Sequence, residues 1–253
     1  MTLTNTNQQK IAWVTGVNQG IGAEIMRQLT AQNIQVIGFD VSVDQVPAEF
    51  KNQVYACDVR HAEQVSALCT QLLQTAAPDY FVNVAGVLHL GAHEDLSLEA
   101  WQQTFEVNVY GAFYFLRHLS PYFKQKRSGS IVMVSSNAAH APRVNMAAYG
   151  ASKAALTSFS KTVGLELAEY GVRVNIVSPG STATPMQYQL WTDASSEQRT
   201  IQGNPAQYKV GIPLQKIAQP QEIANAVLFF LSEQATHITM HDLVVDGGAT
   251  LGQ

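Results

Sequence analysis

A serine, a tyrosine and a lysine in the second half of the chain have the types and spacing for proton transfer at an alcohol. Tyr149 and Lys153 are four residues apart, so on a helix they share one face. A phenol has an unperturbed pKa of about 10, but a nearby ammonium favours the phenolate. Ser136 can donate a hydrogen bond to a substrate oxygen on which charge develops. We therefore predict Tyr149 as a general acid/base, although a single Tyr-x-x-x-Lys is often an ordinary exposed helix pair.

A glycine-rich turn near the N-terminus could bind the phosphates of a dinucleotide. It runs from Thr15 to Gly22 as T-G-V-N-Q-G-I-G, after a predicted strand and directly before a predicted helix. Glycines let the backbone approach a pyrophosphate, and the helix N-terminus supplies N–H groups and positive dipole. The spacing is G-x-x-x-G-x-G rather than G-x-G-x-x-G, and glycines alone could also make a simple tight turn.

Asp40, at the end of the second predicted strand, points to NAD rather than NADP. It lies near the offset of about 20 residues at which an acid binds the adenosine ribose. Its carboxylate would accept bonds from both ribose hydroxyls and repel a 2′-phosphate, and the glycine turn carries no Arg or Lys to offset that repulsion. The alternative is a solvated aspartate that closes a strand. An oxidised nicotinamide, being positively charged, would favour the Tyr149 phenolate further.

The elements that position these residues alternate along the chain. Short apolar runs predict seven buried strands, at 11–15, 34–39, 53–57, 80–84, 130–135, 172–177 and 243–245. Stretches with helical periodicity lie between them, at 21–31, 62–75, 98–124, 149–170 and 221–231. This alternation predicts an α/β fold: one doubly wound parallel sheet with helices on both faces, in a single Rossmann-type domain over 1–253.

Several turns at the carboxyl ends of these strands could also contact a ligand. Asp58 and Val59 follow the third strand, and Asn83-Val84-Ala85-Gly86 follows the fourth. Asp58 could instead be the N-cap of the helix at 62. The polar, irregular segment 181–213 interrupts the rhythm after the sixth strand. Because ligands bind beyond the carboxyl ends of strands in such sheets, we predict it as a mobile substrate lid.

Composition narrows the class of protein. Apolar residues make up 46% of the chain and charged residues 13%, with a net charge of -4. This balance suits a large core, and without a basic cluster it gives no support for a nucleic-acid partner. Cys57 and Cys69, one in a predicted strand and one in a predicted helix, suit a reducing cytoplasm rather than a disulfide framework. No run is long enough to span a membrane, and no cluster of residues has the spacing of metal ligands.

Together these motifs resemble the short-chain dehydrogenase/reductase family across almost the whole sequence. The matching positions are T-G-x-x-x-G-I-G at 15–22, N-x-A-G at 83–86, Asn108, Ser136, Y-x-x-x-K at 149–153, P-G at 179–180 and D-G-G at 246–248. One position departs from the pattern, because Val84 stands where a second Asn is usual, which should weaken a local hydrogen bond. The resemblance implies a nicotinamide-dependent oxidoreductase that assembles as a homotetramer.

The resemblance also implies roles for individual residues. Asn108 would help to hold a water that links Lys153 to solvent as a proton relay, although it could also cap a local helix distortion. The nicotinamide carboxamide would lie against the segment after Pro179-Gly180. The residues expected to bind NAD are Gly16, Asn18, Gln19, Gly20, Ile21, Gly22, Asp40, Asp58, Val59, Asn83, Ala85, Gly86, Tyr149, Lys153, Pro179, Gly180, Ser181, Thr182 and Thr184.

Segments outside this shared core resemble a narrower group, the 2,3-dihydro-2,3-dihydroxybenzoate dehydrogenases of catecholate siderophore synthesis. These segments are 136–140, 143–148, 181–187, 211–214 and 247–252. The resemblance implies a small anionic dihydrodiol as substrate. Arg143 is the first candidate for its carboxylate, because a guanidinium matches carboxylate geometry, although it could be a surface residue. Met146, Met186, Gln187 and Leu190 could form the wall around the ring, although Met and Leu at such positions are equally often plain core.

Two other functions stay open from the sequence. One is a short-chain reductase of another alcohol or ketone, such as a 3-oxoacyl thioester. The other is a regulator that binds a dinucleotide without catalysis, because a fold does not guarantee a function. The presence of Ser136, Tyr149 and Lys153 together argues against the regulator.

Overall fold

Seven parallel strands form one sheet in the order β3-β2-β1-β4-β5-β6-β7. The structure is a computed structural model that describes residues 9–252. The strands are β1 (Ile11–Thr15), β2 (Gln35–Asp40), β3 (Val54–Ala56), β4 (Tyr80–Asn83), β5 (Gly129–Val134), β6 (Val172–Pro179) and β7 (Asp242–Val245). The predicted strands are confirmed. The strand order reverses between β1 and β4, and an open sheet of this kind binds ligands in the crevice at such a point.

The predicted helices are confirmed, with one internal correction. The helices are α1 (Gly20–Ala31), α2 (Ala62–Thr75), α3 (Leu98–Phe105), α4 (Gly111–Lys126), α5 (Ala147–Ala168), α6 (Pro185–Tyr188), α7 (Ser196–Gln202) and α8 (Pro220–Leu231). The single helix predicted at 98–124 is divided into α3 and α4 by a π-helical turn at Glu106–Tyr110. Such turns widen a helix locally and are frequent at functional sites. Asn108 lies within this one.

Both faces of the sheet are buried, because alternate residues of each strand pack against different helices. Trp13 of β1 belongs to a core that includes residues of α2, α4 and α5, such as Phe115. Its neighbours Ala12 and Val14 belong to a second core, with residues of α1 and α8 such as Phe230. Strands buried on both sides read as continuous apolar runs, which is why they could be found in the sequence.

Local side chains define where several helices begin. The Ser97 hydroxyl caps α3 by accepting a hydrogen bond of 3.1 Å from the Ala100 N–H. Pro220 occupies the first turn of α8, where its missing N–H leaves no bond unmade. The alternative reading of Asp58 as the N-cap of α2 is wrong, because His61 is the N-cap and the Asp58 carboxylate is held by Arg60.

The segment predicted as an irregular lid is partly helical. It contains α6, of about one turn, and α7, of about two turns, and loops join these helices.

Cys57 and Cys69 are buried free thiols, and burial raises the pKa of each to about 12. Within 9–252 no helix is long and apolar enough to cross a membrane, and no group of acidic, histidine and cysteine side chains could hold a metal ion.

Candidate active site

A cavity of about 800 Å³ opens at the carboxyl ends of the strands. The turns after β1 to β6 line one side of it, and the segment 181–213, predicted as a lid, lines the other. Nearly all the residues singled out in the sequence reach its wall: Gly16, Asn18, Gln19, Gly20, Ile21, Gly22, Asp40, Asp58, Val59, Ala85, Gly86, Ser136, Arg143, Met146, Tyr149, Lys153, Pro179, Gly180, Ser181, Thr182, Thr184, Met186 and Gln187. Asn83 and Asn108 lie behind the wall.

The glycine turn is shaped by close backbone contacts. Gly16 has a φ of +73°, and a Cβ there would lie 2.8 Å from the Ala85 nitrogen. A Cβ on Gly22 would lie 1.9 Å from the Gly16 oxygen, so α1 packs directly on the turn. The N-cap residue of α1, Gln19, makes no side-chain capping bond, and the first turn of the helix holds no acidic residue. The helix therefore offers an uncapped N-terminus to the cavity, which suits a pyrophosphate.

Asp40 is the last residue of β2, and the backbone N–H groups of two other residues orient its side chain. Its carboxylate accepts hydrogen bonds from Asn18 at 2.9 Å and from Ser42 at 3.2 Å. The cation of this part of the wall, Arg60, is engaged by the Asp58 carboxylate at 2.6 Å. That guanidinium lowers the pKa of Asp58 by hydrogen bonding, although partial burial opposes the shift. The sequence analysis did not single out Arg60. Its only signal in the sequence is that it lies two residues after Asp58, with which it forms the ion pair.

The structure brings Ser136, Tyr149 and Lys153 together on one wall of the cavity. Ser136 follows β5 and its hydroxyl accepts a hydrogen bond of 3.1 Å from the Ala138 N–H. Tyr149 lies in the first turn of α5, and the Lys153 ammonium lies 5.8 Å from the centroid of its ring. Lys153 is buried and donates a hydrogen bond of 3.0 Å to the Val134 carbonyl oxygen. The predicted shared helix face is therefore present.

Burial dominates the proton affinities of this pair. It raises the pKa of the Tyr149 phenol, and a hydrogen bond with Ser136 opposes that shift. It lowers the pKa of Lys153 from 10.5 to about 8. In the protein alone the net shift of the phenol is upward, because desolvation penalises the charged form of each group; the acidifying effect of the ammonium stays a prediction. A positively charged ligand bound beside Tyr149 would lower the pKa of its phenol and so favour the phenolate.

Asn108 joins the π-helical turn to the strand ends. Its side-chain oxygen accepts a bond of 2.8 Å from the Val87 N–H, and its amide nitrogen donates at 3.0 Å to both the Val87 oxygen and Ser152 Oγ. Gly86 separates it from the lysine: a Cβ there would lie 3.3 Å from Asn108 Oδ1 and 3.4 Å from Lys153 Nζ. Asn108 therefore shapes the cavity floor beneath Lys153, and its part in a proton relay stays a prediction.

Asn83 holds two strand ends together rather than facing the cavity. Its side-chain oxygen accepts a bond of 3.2 Å from the Thr15 hydroxyl, whose oxygen in turn accepts the N–H groups of Val84 and Ala85. Its amide nitrogen is buried and has no partner among the described residues. Val84, which stands where the family usually has a second Asn, still donates its backbone N–H to the Thr15 hydroxyl oxygen.

Another part of the cavity wall combines apolar side chains with cations. Arg143, Met146, Met186 and Gln187 all reach the wall, as predicted from the resemblance. Burial lowers the pKa of the Arg143 guanidinium, and the charge of Asp246 opposes the shift. His140, in the same loop as Arg143, bonds through Nε2 to the Asp242 carboxylate at 2.9 Å and so ties this loop to β7.

Besides Arg60, the sequence analysis did not predict two cations that line the cavity, Arg199 and Lys209. Lys209, near the end of the lid segment, also lines the cavity. Burial lowers its pKa, and so does the positive charge of Arg143. The only signal in the sequence was that Lys209 is the one charged residue between positions 200 and 215.

Comparison with known proteins places the chain in a family. Residues 16–250 match the family described as enoyl-(acyl carrier protein) reductase. A 2,3-dihydro-2,3-dihydroxybenzoate dehydrogenase of Escherichia coli (strain K12) is 51% identical over 244 residues, covering 96% of this chain and 98% of that protein. The Bacillus subtilis (strain 168) protein of the same name is 48% identical over 252 residues, covering 96% and 97%.

A solved structure gives the same assignment. The 4-hydroxyisoleucine dehydrogenase complexed with NADH superposes with a TM-score of 0.89 at 26% identity, covering 97% of this chain and all of that one. The glycine turn, the Ser136, Tyr149 and Lys153 wall and the sheet topology agree with these similarities over nearly the full length. The chain belongs to the short-chain dehydrogenase/reductase family.

Proposed function

We propose that this protein oxidises 2,3-dihydro-2,3-dihydroxybenzoate to 2,3-dihydroxybenzoate with NAD⁺, in the synthesis of catecholate siderophores. The observation that carries the proposal is one cavity that holds a dinucleotide turn, a Ser-Tyr-Lys wall and an end that is both apolar and cationic. The names and the high identity of the two bacterial relatives support the choice of substrate.

The residues on the wall divide the reaction between them. The Tyr149 phenolate takes the hydroxyl proton of the diol, and the Ser136 hydroxyl holds the same oxygen while a carbonyl forms. Lys153 places a positive charge beside the phenolate. NAD⁺, when bound, accepts the hydride that leaves the carbinol carbon. The resulting enone loses a ring proton and regains it on oxygen, and the gain of aromaticity drives the sequence toward the catechol.

The cofactor would be held by the wall residues at the switch point of the sheet. The N-terminus of α1 suits the pyrophosphate, and the segment from Pro179 to Thr184 suits the carboxamide. Asp40 would bind the adenosine ribose, and because Arg60 is already paired with Asp58, no unpaired cation near Asp40 among the described residues favours a 2′-phosphate. The solved relative complexed with NADH supports a nicotinamide cofactor.

Replacing Asp40 with alanine should shift the cofactor preference toward NADP. The substitution removes the charge that repels a 2′-phosphate and the acceptor for the ribose hydroxyls, so the ratio of kcat/KM for NADP to that for NAD should rise about tenfold or more. Steady-state kinetics with both cofactors measures the ratio. Asp44→Ala is the matched control, because Asp44 bonds to Ser42 Oγ at 3.0 Å and does not line the cavity. An unchanged ratio in Asp40→Ala would contradict the ribose assignment.

Replacing Arg143 with alanine should chiefly raise the KM for the dihydrodiol. A hydrogen bond to a charged group is worth about 1.5–3 kcal/mol, so we expect an increase of about tenfold or more with a smaller change in kcat. The measurement is steady-state kinetics at saturating NAD. A KM that does not move would return Arg143 to the role of a surface residue.

The substrate itself is tested by two assays run side by side. We expect turnover of the dihydrodiol with NAD, followed at the absorbances of NADH and catechol. The competing function is reduction of a 3-oxoacyl thioester with NADPH, and efficient turnover in that assay alone would replace our proposal. Binding of NAD without turnover of either substrate would favour a regulator.

We further propose that the protein acts as a homotetramer in the cytoplasm, with the segment 181–213 as a substrate lid. Exposed apolar side chains on α4 and α5, among them Phe113 and Leu165, support contact between subunits. The two free, buried thiols suit a reducing compartment. The lid carries Met186 and Gln187 on the cavity wall. Sedimentation equilibrium should give a mass about four times the 27.6 kDa of the chain.

A further inference from the structure

Four cations other than Lys153 line the cavity, and they differ in whether a carboxylate neutralises them. Arg60 is paired with Asp58 at 2.6 Å, and Arg199 is paired with Asp193 at 3.1 Å. Arg143 and Lys209 have no ion pair within the described part of the chain. Asp246 acts on Arg143 only at a distance, because its carboxylate is engaged by Thr250, Asn137 and the Gly248 N–H.

The two unpaired cations line the same cavity, and the positive charge of Arg143 lowers the pKa of Lys209. Both are half-buried, and burial lowers the pKa of each. Two like charges that are partly removed from water destabilise the folded protein, and a bound anion between them would relieve the cost. The feature is therefore explained by a ligand rather than by folding.

The lid is built so that Lys209 points inward. Asn204 and Lys209 exchange two backbone hydrogen bonds, of 2.9 and 3.0 Å, that close the loop between them. Tyr208, which precedes the lysine, is 89% exposed and does not line the cavity, whereas Lys209 is half-buried and lines it. Glycines fix both ends of the loop: a Cβ on Gly203 would lie 2.5 Å from the Lys209 oxygen, and one on Gly211 would lie 2.5 Å from the Ile201 oxygen.

The two cations come from different parts of the fold. Arg143 stands on the loop between β5 and α5, which the contact of His140 with Asp242 ties to β7. Lys209 stands on the lid. The apolar part of the wall around them includes Met146, Met186 and Leu190, which suits a small ring. An anionic group on such a ring can reach both cations only when lid and loop face each other across it.

We propose that Lys209 and Arg143 together bind the carboxylate of the substrate, so that the carboxylate fastens the lid over the ring and selects carboxylated diols. The inference rests on the proposed function and names Lys209 as a specificity-determining residue for it. Pyrophosphate is the competing anion, but the proposed function assigns it to the uncapped N-terminus of α1 at the glycine turn.

The test compares a ligand that has the carboxylate with one that lacks it. The protein saturated with NADH is titrated calorimetrically with 2,3-dihydroxybenzoate and with catechol. In Lys209→Met and Lys209→Gln we expect 2,3-dihydroxybenzoate to bind about tenfold more weakly or worse, while catechol stays within about twofold. Lys209→Arg should recover most of the loss. The matched control is Lys216→Met, since Lys216 pairs with Glu222 on the surface and does not line the cavity.

Hydrogen exchange gives the lid its own readout. Binding of 2,3-dihydroxybenzoate should slow exchange of amides in 181–213 in the wild type, and neither catechol nor the Lys209→Met variant should show that slowing. Equal weakening of both ligands in Lys209→Met, or weaker NADH binding of the same size, would overturn the proposal. So would a Lys209→Met variant that binds both ligands as the wild type does.

The two proposals fail in different ways. A wild type that oxidises the dihydrodiol while its Lys209 variants bind the carboxylate normally overturns only the role of Lys209. A wild type that does not oxidise the dihydrodiol, yet binds 2,3-dihydroxybenzoate in a Lys209-dependent way, supports the carboxylate site and overturns the proposed reaction.

Discussion

Tyr149→Phe should lower turnover of the dihydrodiol by at least about a hundredfold, which is the usual scale for removing a general acid/base. The substitution removes only the phenolic oxygen, so the ring keeps its place at the start of α5 and beside Lys153. The affinity for NAD should stay close to that of the wild type, because the contacts proposed for the adenosine and the pyrophosphate lie on other elements. Steady-state kinetics and a fluorescence titration with NADH measure the two quantities.

The pH profile separates a proton acceptor from a residue that merely supports the site. Burial raises the pKa of Tyr149 in the free protein, so the phenolate becomes more populated as pH rises. The value of kcat/KM for oxidation by the wild type should therefore increase with pH, and Tyr149→Phe should lose that increase. Tyr170→Phe is the control, because Tyr170 lies beyond the other end of α5 and stacks with Lys124 and Arg127. Near-normal turnover in Tyr149→Phe would remove the tyrosine from the mechanism.

The sequence predicts the fold and the cofactor end of the site for one physical reason. In a parallel sheet the carboxyl ends of all strands meet at one edge, so residues that follow separate strands are brought together. Asp40, Ser136 and Gly180 are far apart in the chain and share one cavity wall. The four-residue spacing of Tyr149 and Lys153 predicts that the two side chains share one face of a helix, and the structure confirms this.

The features that the sequence does not reveal depend on three-dimensional packing. The π-helical turn around Asn108 is set by contacts with Val87 and Ser152, neither of which is close in the chain. The position of Lys209 follows from how the lid folds back on itself through Asn204. The direction of the Tyr149 shift depends on how much solvent the surrounding elements exclude, which periodicity does not report.

Lys153→Met should stabilise the protein while it impairs catalysis. A lysine whose pKa falls from 10.5 to about 8 on folding carries a penalty of about 3 kcal/mol at neutral pH. Methionine avoids this penalty but cannot donate to the Val134 carbonyl, which costs about 1 kcal/mol. We therefore expect the ligand-free variant to gain about 2 kcal/mol in free energy of unfolding at pH 7. Urea unfolding at matched protein concentration measures the gain, and Lys161→Met, at an exposed position of the same helix, is the control.

The sign of the pH dependence makes the prediction specific. Between about pH 8 and 10.5 the unfolded chain binds the lysine proton more often than the folded protein does, so wild-type stability rises with pH in this window. The advantage of Lys153→Met should accordingly be largest below pH 8 and shrink as the pH approaches 10. Turnover should fall by about a hundredfold or more at the same time, because the positive charge beside the phenolate is lost. A Lys153→Met variant that is less stable than the wild type at pH 7, or whose gain in stability does not change with pH, would contradict the prediction. Either result would mean that burial of the Lys153 ammonium does not destabilise the folded protein.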